Sequence, residues 1–206
     1  MSQLKRFMTT VFTVTAISLS AHDMSPKQES QLKTVFPEAV GFMEKHVSLT
    51  DKQAAQASTK ISGKLGTEDR EVRLLAAKSV DGGILGHAVY FSVKDKDGDT
   101  VKGLVGLGTD GMVKKAVIFS HDKADPVAQE GFLSQFAGKS TDLAQWGKAV
   151  KPAPGREAAS KAAAKAIHKA TVLAETASMA RMANDEHDDD RGDANANKHG
   201  HKGHAH

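Results

Sequence analysis

Residues 86–119 read GHAVYFSV-KDKDGD-TVKGLVGL-GTDG-MVKKAVIF, and this stretch decides the fold. Its three longer runs, at 86–93, 100–107 and 112–119, have the β-branched and aromatic content of strands. Asp97-Gly98 and Asp110-Gly111 between them are hairpin-turn signals, because glycine takes the positive φ that a tight turn demands. Upstream, Val72–Ala77 has the same composition, and Asp81-Gly82-Gly83 links it to the next run. The pattern predicts an antiparallel meander of about four strands. Glycines inside the 100–107 run, at 103 and 106, mark places where a neighbour approaches the backbone closely.

Helical patterns lie on either side of the meander in sequence, so the fold class is α+β. Before it, apolar residues at 32, 35, 36, 39, 40 and 43 follow helical spacing, with Pro37 suited to the first turn of a new helix. Thr50 and Gln53 form a capping box for a second helix, which is expected to stop near Gly63 or Gly66. After the meander, Pro126–Phe136 places Phe132 and Phe136 at i and i+4, and Gly138 ends that helix. A connection through Trp146, Pro152 and Pro154 leads to an Ala-rich helix from Arg156 to about Met182. Its apolar positions 159, 163, 166/167, 170 and 173/174 share one face, and His168 is expected to face solvent.

Composition narrows the chemistry. The chain has 206 residues and no cysteine, which excludes disulfides, thiolate metal sites and iron–sulfur ligation. A formal charge of +3 is too weak to argue for a nucleic-acid partner, and none is expected. With 5% aromatic residues the core must be mostly aliphatic. No Ser, His and acid arrangement supports a hydrolase.

The termini have their own signals. Lys5 and Arg6 precede an uncharged, largely apolar run from Phe7 to Leu19, and small residues follow at Ser20 and Ala21. This is the layout of a secretory signal peptide, and the run is too short for a comfortable membrane span. The expected organisation is a signal peptide at 1–21, a linker at 22–30, a domain at 31–178, and an acidic then His-rich disordered tail at 179–206. The expected location is periplasmic or exported, with membrane association as an option. In the tail, His187, His199, His201, His204 and His206 could bind Ni, Cu or Zn with nearby carboxylates as helpers.

Six phrases occur in a telling order: Val35-Phe-Pro-Glu-Ala39, Leu49-Thr-Asp-Lys-Gln53, Gly86-His-Ala-Val-Tyr-Phe91, Gly103–Val113, Phe132-Leu-Ser-Gln-Phe136 with Gly138-Lys139, and Gly155–Ala162. In this order they resemble the FMN-binding domain family over roughly residues 30–175. That domain forms the small periplasmic flavin subunits of the Rnf and sodium-pumping NADH:quinone complexes, and occurs in stand-alone exported proteins. The resemblance implies FMN as cofactor, electron transfer as function, and redox partner proteins at the cytoplasmic membrane.

The family's signature opens the last helix and reads S/T-G-A-T-x-S/T-S, the Thr after Gly-Ala carrying FMN through a phosphoester. An anion there meets free backbone N–H groups and the positive end of the helix dipole. The corresponding run here is Pro154-Gly155-Arg156-Glu157-Ala158-Ala159-Ser160. Gly155 and Ser160 match; the attachment residue is replaced by Glu157, whose carboxylate cannot be the ordinary acceptor and would repel a phosphate. Two outcomes are compatible with this departure. FMN could bind noncovalently, with Arg156, Lys151 and Lys161 balancing its phosphate and Gln135 and Ser160 supplying hydrogen bonds. Alternatively the fold persists without flavin, as a periplasmic binding or metal-handling protein that uses the tail. Asp95-x-Asp97-Gly98-Asp99 hints at a calcium loop but reads better as a hairpin turn.

Overall fold

The computed structural model describes residues 24–96, 98–119, 125–146 and 150–189, with side chains described as far as 180. One antiparallel sheet of five strands organises the chain, in the order β1-β2-β3-β4-β5. The strands are β1 (Gly41–Ser48), β2 (Glu71–Lys78), β3 (Ile84–Lys94), β4 (Thr100–Gly108) and β5 (Val113–Ile118). Helices α1 (Pro26–Lys33), α2 (Asp51–Lys60), α3 (Glu130–Leu133) and α4 (Glu157–Asp189) complete the α+β architecture. The four expected strands are β2 to β5, and Gly82, Gly98 and Gly111 of the expected turns lie between them at positive φ.

β1 was not foreseen. The helical spacing at 32–43 ends at Lys33, inside the first third of that range, and Gly41–Ser48 pairs antiparallel with all of β2. Pro37 is the physical reason, since it cannot donate to an i−4 carbonyl and restricts the residue before it. β1 gives little strand signal of its own because it lies at the sheet edge, partly exposed on both faces. α1 in turn begins at Pro26, inside the stretch expected to be linker, with Ser25 and Gln28 closing a capping box.

The second expected box is present: Thr50 Oγ1 accepts from the Gln53 N–H at 3.3 Å, and Gln53 Oε1 accepts from the Thr50 N–H at 2.9 Å. α2 stops at Lys60, earlier than either glycine, and Ser62 just beyond takes φ +49°. The helix expected over 126–136 is divided into a 3₁₀ turn at Pro126–Ala128, the short α3, and a second turn at Ser134–Phe136. The extended backbone of Gln129, at ψ 150°, makes the break.

Two apolar cores lie on opposite faces of the sheet. On one face α4 packs against Leu74, Val89, Val105 and Leu107, joined by Phe132, Phe136 and Trp146. From Ala163 to Ala174 almost every α4 side chain is buried, which small residues permit because they let several elements approach at once. The other face is closed by Leu32, Val35 and Phe36 over Leu75, Ala88 and Leu104. Gly106 makes that closure geometrically feasible: a Cβ there would lie 2.3 Å from Val35 Cγ1 and 3.1 Å from the Phe36 ring. This is the close approach that the strand glycines predict.

Candidate functional site

Along the exposed side of α4 runs a groove of about 760 Å³, a volume suited to a small organic ligand. Its floor is a stripe at i, i+4, i+8: Ser160, Ala164 and His168, all buried. The first two are small, and that is what leaves the space. Its rim is a second stripe at the same spacing: Glu157, Lys161, Lys165 and Lys169. One wall is Ile61–Gly63, where the chain leaves α2 through the left-handed Ser62. Leu143, Trp146, Val150 and Pro152 form a further part of the lining.

Trp146 is fixed from three sides. Its Nε1–H donates to the Ser140 carbonyl at 2.7 Å, Phe136 stacks on it at 5.7 Å between ring centroids, and His168 lies at 4.8 Å. His168 is therefore buried, contrary to the solvent-facing position expected for it. The reason is the segment 139–146, which folds back over α4 and covers that face. His168 Nε2 lies 3.2 Å from the Thr141 carbonyl, an acceptor only, so Nε2 carries the proton. Burial pushes the His168 pKa below the usual 6.5, against the smaller opposing pull of that carbonyl and of Asp142. At neutral pH the ring is uncharged.

Ion pairs brace the groove at its α2 side. Lys60 pairs with Glu175 and also donates to Thr141 Oγ1 at 3.4 Å, while Lys169 meets Asp69 at 2.6 Å. Such half-exposed pairs contribute about 0–1 kcal/mol each, so they orient the wall more than they stabilise it.

The residues expected to hold a cofactor do not all converge. Glu157 and Ser160 line the groove. Gln135 and Lys151 line a separate cleft of about 320 Å³ with Pro126, Phe132 and Pro154. Gln135 is already committed to the backbone: its Oε1 accepts from the Lys151 N–H at 2.8 Å, and its Nε2 donates to the carbonyls of Phe132 and Lys151. Ser160 Oγ likewise accepts from the Ala153 N–H at 2.9 Å. Together these bonds pin the 151–153 loop to the Ser134–Phe136 turn and to α4. Gly155 has φ +69°, the left-handed turn that delivers the chain into α4, and a side chain there would meet nothing within 4 Å. Arg156 turns the other way, toward Asp125 at 3.7 Å and Asp99 at 4.0 Å.

Lys165, Lys169, Trp146 and His168 escaped the sequence reading. The alternation of Glu157, Lys161, Lys165 and Lys169 with Ser160, Ala164 and His168 was a usable signal, but one that an ordinary solvated helix face also gives. His199, His201, His204 and His206 lie outside the described residues. His187 lies on the α4 backbone beyond the described side chains. Among the described residues no group of three His, Cys, Asp or Glu side chains could hold a metal ion, and no helix is long and apolar enough to cross a membrane.

No protein-family model matches the chain, and no curated protein matches it. Among solved structures it is similar to the crystal structure of Shewanella oneidensis NqrC, with 16% identity, coverage of 68% of this chain and 72% of that one, and a TM-score of 0.41. The chain's own residues, rather than this likeness, carry the functional reading.

Proposed function

We propose that this chain is an exported protein, built on a fold like that of the FMN-binding domain, that holds flavin noncovalently in the α4 groove and passes electrons in the periplasm. The observation that carries the reading is the coincidence of two features. Position 157, where the resembled family attaches its cofactor, lines a groove walled by Trp146 and edged by three lysines. An aromatic wall beside cationic side chains suits a planar ring that bears a phosphate. Glu157 removes the covalent acceptor without closing the space.

Bound flavin would supply the one- and two-electron chemistry. The chain's part is binding and environment. Trp146, Val150, Pro152 and Leu143 exclude water from one side of the ligand. Gln135 and Ser160 act through the 151–153 loop, which they hold in place. Export rests on the layout of residues 1–21, and redox partners at the cytoplasmic membrane follow from the family resemblance.

Titrating purified full-length protein with FMN and following flavin fluorescence tests the reading. Quenching with saturation supports it, and no binding at tens of micromolar overturns it. Acid precipitation of the native protein adds a second test, because flavin that stays with the pellet would mean a covalent bond after all. Glu157 favours one other reading, a flavin-free metal-handling protein using the tail histidines. Calorimetry with Ni, Cu and Zn, on full-length protein and on protein truncated at 184, would expose it as an affinity lost on truncation.

A further inference from the structure

This inference rests on the flavin reading and concerns where the ligand's phosphate is held. A phosphate at the start of α4 would meet the Glu157 carboxylate. One and two turns further along the same rim, Lys161 and Lys165 are exposed and form no ion pair among the described residues. Lys169, the next in the row, is neutralised by Asp69. The unpaired positive charge of the groove is therefore concentrated at 161 and 165, and Glu157 is the lone carboxylate among its described lining residues.

A row of like charges at i, i+4 costs an isolated helix a few tenths of a kcal/mol per pair, so it is tolerated more easily where an anion relieves it. Four residues rise about 6 Å along a helix, and lysine's flexible stem lets two ammoniums one turn apart converge on one dianion. Trp146 lines the same groove. We propose that the groove recognises a heteroaromatic phosphate monoester, its phosphate bridged by Lys161 and Lys165 and its ring on the Trp146 side, displaced from the helix start where the resembled family anchors its cofactor.

The chain's one tryptophan is Trp146, so its emission reports on the groove directly. Full-length protein and the double variant Lys161→Gln/Lys165→Gln would each be titrated at low salt with FMN and with riboflavin, which differ only in the phosphate. The expected result is FMN bound at least about tenfold more tightly than riboflavin, as charge-assisted bonds to a phosphate allow. The double variant should lose that preference, and added salt should erode it in the unsubstituted protein. Equal affinity for the two flavins, or a preference that survives the double substitution, overturns the phosphate assignment while the flavin reading stands. If neither flavin binds, the flavin reading itself falls, and this assignment with it.

Discussion

On the α4 face of the sheet the core is spread over a long helix and many small side chains. On the opposite face it is concentrated in Phe36 and the few residues around it. The difference follows from what each face must do. α4 is buried by several elements at once, and its alanines and Ser160 leave room for a groove along its outer side. On the α1 face Val35 and the fully buried ring of Phe36 fill the hollow over Gly106. The groove described above lies on the helical face.

Emptying the compact face tests this difference between the two faces most severely. Phe36→Ala should cost about 3–5 kcal/mol in urea unfolding, because a fully buried ring leaves a cavity that its neighbours cannot fill. A loss below about 1 kcal/mol, the size of a surface effect, would mean that the α1 face is not an integral part of the fold. Crowding the same contact is the reciprocal test. Gly106→Val places a side chain where Val35 and Phe36 already lie, and about 1–3 kcal/mol of destabilisation is expected from overpacking. Unchanged stability there would show that α1 and the 34–40 segment can lift away freely.

These two faces also differ in how far the sequence disclosed them. The hairpins of β2 to β5 were legible because Asp-Gly turns punctuate runs of strand composition, and turn chemistry is local. The capping boxes at Ser25 and Thr50 are equally local. β1 was hidden because an edge strand with both faces half-exposed carries no alternation, while the apolar spacing at 32–43 imitated a helix. The site was legible at its start and obscure in its walls. Gly155, Glu157 and Ser160 stand in a recognisable run. Trp146 and His168 are brought together by the fold-back of 139–146, a non-local event that periodicity on α4 cannot reveal. Lys151 is expected near the phosphate on sequence proximity and Gln135 as a hydrogen-bonding partner, and in the fold the Gln135 side chain bonds to the Lys151 backbone instead.

A smaller effect probes the α2 wall of the groove. Thr50→Ala removes the N-cap of α2 and should cost about 1 kcal/mol. If the wall depends on α2, ligand affinity in the groove should fall with it. Affinity that is unaffected would show that Ile61–Gly63 is held by the ion pairs of Lys60 and Lys169 alone.

The smallest expected effect distinguishes the helical face by pH. Buried His168 has a pKa depressed below its ordinary 6.5, so the unfolded chain binds a proton more readily than the folded one. Its contribution is therefore fully present above about pH 6.5 and is lost as pH falls toward the depressed folded value. Protonation would give Trp146 a cation at close range and Asp142 an opposite charge, and both oppose the loss; burial is nevertheless the larger influence. His168→Phe keeps an aromatic ring against Trp146 and removes the titration, at the cost of the bond to Thr141. The variant should be less stable at neutral pH, yet its melting temperature should fall less steeply between about pH 7.5 and 5.5, the range in which an ordinary histidine titrates. The other histidines are common to both proteins, so the difference between the two slopes isolates residue 168. Parallel slopes would mean that the ring is hydrated in solution, and that the 139–146 segment covers the groove floor less tightly than its contacts with Trp146 imply.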